Sequence, residues 1–152
     1  MDWYTFVRKY VWDDTRTPYF TSAARLSRSQ AHKELFFYVS LLAMLFVMVF
    51  VGAFIDLMHN FHFTSLGWFV YALVVLGAAV WLGLRKSLRA ALLCASAPLA
   101  VLVHFAFNGF HPNLGALDKL LLLGFVILWL RYAWRTLAIA KVYTNLPSNA
   151  KA

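Results

Sequence analysis

Residues 35–55 read LFFYVSLLAMLFVMVFVGAFI and contain no Asp, Glu, Lys, Arg or His. An α-helix rises about 1.5 Å per residue, so about 20 apolar residues match the roughly 30 Å hydrocarbon core of a bilayer. A helix also pairs its own backbone polar groups, as lipid requires of any segment that crosses it. This stretch therefore predicts a transmembrane helix.

Three later stretches repeat this apolar character, and the last continues beyond Leu130 through Arg131 and Arg135. The whole chain is 62% hydrophobic and 13% charged, with a mean hydropathy of +0.68. Soluble domains usually carry about 25% charged residues. We therefore expect one all-α integral membrane domain over 35–140, with transmembrane helices at about 35–55, 66–84, 88–107 and 117–140.

The basic residues predict the orientation of these helices, because cytoplasmic loops are enriched in Lys and Arg. They occur before residue 35, between the second and third spans, and after residue 130, which places them on one side. Only Lys119 falls on the other side. We expect a cytoplasmic or interfacial segment at 1–34, a cytoplasmic tail at 141–152, and both termini in the cytoplasm.

The placement of the charges also bears on the compartment and on the partners. The first long apolar run begins only at Leu35, behind a mixed segment, which is not the layout of a cleavable signal peptide. We therefore expect a bacterial inner membrane. Although the net charge is +8, the basic residues flank apolar runs, and no nucleic-acid-binding motif is recognisable. The expected partner is the lipid bilayer, including anionic lipids, and not nucleic acid.

The amino-terminal residues have a helical period that is amphipathic. The apolar positions follow the i, i+3, i+4, i+7, i+8 spacing of one helix face, while Arg8 and Lys9 fall on the other. Trp and Tyr favour the membrane interface, where such a helix lies flat. We predict an interfacial helix at about 2–12; a helix that binds a protein partner is the alternative. Its anchoring residues are Trp3, Phe6, Val7, Tyr10 and Val11.

Two local patterns concern how the helices begin and pack. Ser27 and Gln30 have the spacing of a capping box, which predicts a helix that starts there and runs into the first span. The third span is rich in small residues, which allow close helix contacts in lipid. We expect the second and third spans to form a close antiparallel hairpin. Pro98 should kink the third span, either as a packing feature or as a hinge.

Histidine supplies the candidate chemistry. His104 lies inside the third span, where an ionisable residue should face protein or a cavity. It is the candidate cofactor-binding residue, as a contact of a quinone or haem, a proton relay or a metal ligand, or else it is a neutral histidine satisfied by a neighbouring helix. Four further residues lie in or near the two loops on the side of the membrane opposite the cytoplasm. Their side chains suit a divalent metal such as zinc. This candidate metal site consists of Asp56, His59, His62 and His111.

Arg131 and Arg135 lie four residues apart, on one face of the fourth span. Arg135 is close enough to the cytoplasmic headgroups to reach them, whereas Arg131 is one turn deeper. The predicted spans offer these arginines no acidic partner, because their one acidic residue, Asp118, lies at the opposite end of the fourth span. We therefore expect both arginines to contact an anionic lipid or a carboxylate of a partner protein. The alternative for Arg131 is that its long side chain extends to the headgroups without a specific partner.

These features favour contacts over catalysis. Phosphate-binding loops and the common hydrolase motifs are missing from the sequence. We expect a non-catalytic accessory or assembly subunit of a larger membrane complex, with another membrane protein or a second copy as partner. No cofactor is expected under this hypothesis. The alternatives are a redox protein that binds a metal or haem through the outer histidines, and a small transporter or channel that moves at Pro98.

Overall fold

The computed structural model of the chain describes residues 21–59 and 61–147, and within them the fold is all-helical, without strands. The helices are α1 (Arg28–His59), α2 (Phe63–Arg85), α3 (Leu88–Asn108) and α4 (Ala116–Val142), flanked by 3-10 turns at Ala23–Arg25 and Tyr143–Asn145. Of the described helices, three are long and apolar enough to cross a membrane, namely α1, α2 and α3. The predicted helical membrane architecture is confirmed to this extent.

The fourth predicted span corresponds to α4, which is equally continuous but is not among these three helices. It differs from them in composition, because charged residues occupy its first turn and its second half. The predicted interfacial helix at about 2–12, with Trp3, Phe6, Val7, Tyr10 and Val11, lies outside the described residues.

The start of α1 matches the capping-box prediction. The Ser27 backbone amide donates to Gln30 Oε1 at 2.9 Å, and the Gln30 amide donates to Ser27 Oγ at 3.3 Å. These reciprocal bonds satisfy two amides that a helix start leaves without intrahelical partners. The helix therefore begins seven residues before its apolar stretch and brings Glu34 into the folded bundle.

A two-residue turn joins α2 to α3. Lys86 adopts the left-handed conformation, with φ at 52°, and its amide donates to the Leu82 carbonyl at 3.0 Å. Ser87 then caps α3 by accepting a hydrogen bond from the Ala90 amide at 3.3 Å. Partial burial lowers the pKa of Lys86. So short a connection makes α2 and α3 antiparallel neighbours.

Consecutive helices pack side by side, and α4 returns to contact α1, which closes a four-helix bundle. The predicted α2–α3 pair is present, but α1–α2 and α3–α4 pack more extensively. Small side chains of α3 are fully buried in the core of the bundle. These residues are Ala90, Ala91, Cys94 and Ala97.

Pro98 is integrated into this core through Tyr38 of α1. Proline has no amide hydrogen, so the carbonyl of Cys94, four residues earlier, loses its usual helical donor. The Tyr38 hydroxyl donates to that carbonyl at 3.2 Å. Both Tyr38 and Cys94 are fully buried. This hydrogen bond favours the interpretation of Pro98 as a packing feature over a hinge.

Most of the basic residues lie near one end of the bundle, called here the basic end, where α1 starts, α2 meets α3, and α4 ends. There Arg135 of α4 forms a bidentate ion pair with Glu34 of α1, with Nε–Oε2 at 2.7 Å and Nη2–Oε1 at 2.8 Å. Arg135 Nη1 also donates to the Thr21 carbonyl at 2.9 Å. Glu34 is only 4% exposed. Loss of one partner from a buried pair of this kind costs about 3–5 kcal/mol.

The residues after α4 also fold back onto the basic end. Leu146 is buried, and the Pro147 carbonyl accepts a hydrogen bond from the Arg28 amide at 2.9 Å. The Arg28 guanidinium donates to the Thr144 carbonyl at 3.1 Å. Residues within the predicted cytoplasmic tail at 141–152 therefore pack against the start of α1, where they supply hydrogen-bond acceptors and an apolar side chain.

The pairing of Tyr38 with Pro98 predicts that their mutations are not additive. Tyr38→Phe should lower the free energy of unfolding by about 1–2 kcal/mol, since it leaves the buried Cys94 carbonyl without a donor. Pro98→Ala restores an amide that reaches the same carbonyl, so Tyr38→Phe should then cost clearly less. A double-mutant cycle of unfolding by dodecyl sulfate in mild-detergent micelles measures this coupling.

Tyr71→Phe is the matched control for this cycle. The Tyr71 hydroxyl bonds to Ser96 Oγ at 2.8 Å, independently of the Cys94 carbonyl. Its cost should therefore be the same with and without Pro98→Ala. If Tyr38→Phe behaves in the same additive way, the proposed role of Pro98 is contradicted.

Candidate functional site

A groove between α2 and α3 opens near the end of the bundle opposite the basic end. Its volume is about 340 Å³. Aromatic and aliphatic side chains form most of its surface, and a few polar groups interrupt them. The lining residues are Thr64, Gly67, Trp68 and Tyr71 of α2, with Ala100, Val103, His104, Phe107 and Asn108 of α3.

His104 is held in one orientation within this groove. Its ring lies nearly perpendicular to that of Trp68, with centroids 5.1 Å apart. Asn108 Nδ2 lies 3.1 Å from His104 Nδ1. Because an amide nitrogen only donates, Nδ1 accepts and the ring proton lies on Nε2. That Nε2–H has no hydrogen-bond partner in the described part of the chain, so it remains available to a molecule in the groove.

Sequence reasoning identified His104 but missed Asn108, although their i, i+4 spacing was a usable signal. The structure places His104 against Trp68, Phe105 and Asn108. A bis-histidine haem site needs a second imidazole facing the first, and none of these three contacts is with a histidine. The haem hypothesis therefore gains no support from the surroundings of His104.

The inner end of the groove is fixed by Tyr71. Its hydroxyl lies 2.8 Å from Ser96 Oγ, and Ser96 Oγ donates to the Leu93 carbonyl at 2.7 Å. Because the serine hydroxyl uses its hydrogen on that carbonyl, Tyr71 donates to Ser96. This chain of hydrogen bonds joins α2 to α3 directly beneath the groove.

The predicted metal site of Asp56, His59, His62 and His111 is not assembled. The prediction assumed a helix that continues past His59, but α1 ends at that residue and His62 occupies the position immediately before α2. The Asp56 carboxylate instead accepts a hydrogen bond from the Ser65 hydroxyl. His111 lies in the α3–α4 loop, where its Nδ1 accepts from the Asn113 amide. Within residues 21–59 and 61–147, no three potential metal ligands converge.

The two arginines of α4 have different surroundings. Arg135 is paired with Glu34, which corrects the expectation that this chain offers it no carboxylate. The error arose because Glu34 precedes the apolar stretch, whereas antiparallel packing of α1 against α4 brings the two side chains together. Arg131 is exposed, and it lies one helical turn further from the basic end than Arg135 does. It makes no hydrogen bond or ion pair with any residue that the structure describes.

No protein-family model, curated protein or solved structure matches this chain. The roles of His104, Arg131 and Asp56 are therefore argued from their geometry and chemistry.

Two substitutions at Asp56 distinguish a structural carboxylate from a metal ligand. Asp56→Asn keeps an oxygen that accepts from Ser65, whereas Asp56→Ala removes it. We expect Asp56→Ala to lower the free energy of unfolding by about 1–3 kcal/mol, and Asp56→Asn to cost less. Dodecyl sulfate unfolding measures stability, and elemental mass spectrometry measures zinc.

His59→Ala is the control, because His59 is exposed on the same turn of α1. It should change stability by less than about 0.5 kcal/mol. Stoichiometric zinc in the wild-type protein that is lost in both Asp56→Asn and His59→Ala would contradict the structural role.

Proposed function

We propose that the protein is a non-catalytic accessory or assembly subunit of a larger complex in a bacterial inner membrane. It would cross the bilayer four times, with both termini in the cytoplasm. The observation that carries the proposal is Arg131, an exposed cation on the apolar face of α4 without an ion-pair partner among the described residues. Such a position suits a contact with another molecule better than exposure to lipid tails.

Packing supports a fourth crossing. Arg135, near the end of α4, pairs with Glu34, near the start of α1, so these helices run antiparallel as neighbours. The 27 residues of α4 extend about 40 Å at 1.5 Å per residue. If α1 crosses the bilayer, α4 lies beside it and crosses too. The ion pair compensates the charge of Arg135, and the basic end would face the cytoplasm.

The polar side chains inside the bundle support a scaffold role. Several of them connect one helix to another: Tyr38 bonds to α3, Tyr71 to Ser96, and Tyr132 to the Glu34 carbonyl. Side chains that form these hydrogen bonds between helices are not available for chemistry.

The surroundings of Arg131 indicate the chemistry of a partner. Its neighbours on the exposed face of α4 are large and apolar, with Leu128 and Trp134 66% and 75% exposed. A cation within such a surface is stabilised by a carboxylate on a partner helix or by a lipid phosphate. An acidic residue on an apolar partner helix would satisfy both the charge and the surrounding side chains.

The test is purification of the tagged full-length protein in mild detergent, followed by quantitative mass spectrometry of what co-purifies. We expect a different membrane protein in a fixed ratio. Arg131→Leu should reduce its recovery at least tenfold, or about 1.4 kcal/mol of binding free energy.

Lys141→Leu is the matched control, since Lys141 is an exposed cation on the same helix, and it should leave recovery unchanged. A stable monomer without partners, or equal recovery with Arg131→Leu, would contradict the proposal. Recovery of this chain alone as an oligomer would also contradict an accessory role.

A further inference from the structure

We propose that the groove between α2 and α3 binds a neutral amphipathic molecule with a planar, carbonyl-bearing ring, which is the chemistry of a prenylated quinone. A ring carbonyl would accept the hydrogen bond that His104 Nε2–H offers. This inference is independent of the accessory role, because all the described lining residues belong to this chain.

The size and surface of the groove fit such a ligand. Its volume of about 340 Å³ falls within the range of small-molecule sites, about 300–1,000 Å³, which are mostly apolar with a few placed polar groups. Two small lining residues, Gly67 and Ala100, leave this volume unfilled by side chains. A Cβ atom added at Gly67 would meet nothing within 4 Å, so the space beside this residue is open.

His104 is the polar group that would orient the ligand. Asn108 Nδ2 donates to Nδ1, so the ring hydrogen of this pair lies on Nε2. An N–H donor suits a carbonyl oxygen, the acceptor that each side of a quinone ring presents. Trp68 lies against His104 and offers an aromatic surface within reach of the same ring.

The charge of the lining argues against a phosphate headgroup. None of the lining residues is Lys, Arg, Asp or Glu, whereas phosphates are bound chiefly by cationic side chains and clustered backbone amides. The walls toward lipid are apolar and open, with Val103 and Phe107 55% and 85% exposed. A prenyl tail would leave the groove along these residues and enter the surrounding lipid.

Gly67→Leu provides a direct test, because Gly67 lines the groove and a Cβ atom there would meet nothing within 4 Å, so a larger side chain would take up groove volume. The probe is decylubiquinone, titrated into the full-length protein in mild detergent, and the readout is saturable quenching of tryptophan fluorescence. We expect wild-type binding to saturate and Gly67→Leu to weaken it at least tenfold. Gly77→Leu is the matched control on the same helix, since Gly77 also has open space around it and does not line the groove.

A second pair of variants tests the hydrogen bond. His104→Leu should weaken binding about fivefold, the effect of one hydrogen bond of about 1 kcal/mol, while His104→Gln, which keeps an N–H donor, should weaken it less. Unchanged melting temperatures in detergent confirm that each variant is folded. If a variant melts at a lower temperature, Ala100→Leu replaces it, since this substitution narrows the groove from the α3 side.

Two outcomes would overturn the inference. Equal quenching of wild type and Gly67→Leu shows partition into the micelle instead of binding in the groove. Displacement of the probe by phosphatidylglycerol at lower concentrations than by an unlabelled quinone assigns the groove to an anionic lipid.

Discussion

The ion pair between Glu34 and Arg135 is the interaction on which the arrangement of the helices depends. It joins the first and last helices at the basic end, so the chain of neighbours from α1 to α4 closes into a bundle. Arg135 also donates a hydrogen bond to the Thr21 carbonyl, and Arg28 donates to the carbonyls of two residues after α4. Both flanking segments are thereby tied to the same end. A buried pair is costly to desolvate, but once formed it is costly to break, which favours a single register of α4 against α1.

With that end fixed, the remaining polar groups divide by role. Tyr38 and Tyr71 join helices within the bundle, whereas Arg131 and His104 present groups that the described chain does not use. The two lie toward different ends and offer different chemistry, a cation on an apolar face and a neutral donor in a groove. A subunit that contacts a partner near one membrane surface and holds a neutral lipid near the other would account for both.

Much of the fold was accessible from the sequence. The apolar runs predicted the helices, and Ser27 with Gln30 predicted the start of α1, because both signals are local. What the sequence did not provide was pairing between distant residues. Glu34 was assigned to a flanking segment, so its contact with Arg135, 101 positions away, was missed. The predicted metal site extended the regular spacing of Asp56, His59 and His62 through a point where the helix ends. His104 was identified from its depth alone, but its groove depends on the packing of α2 against α3.

The central claim is that α4 crosses the membrane beside α1, and side-specific labelling tests it most directly. In a Cys94→Ala background, single cysteines at Asn113 and Asn145, both exposed, would be treated with a membrane-impermeant maleimide in intact spheroplasts and in lysed membranes. If α4 crosses the membrane with the basic end in the cytoplasm, Asn113→Cys is labelled in intact spheroplasts and Asn145→Cys only after lysis. Labelling of both positions from the same side would show that α4 does not cross, and the reverse pattern would show that the basic end faces outward.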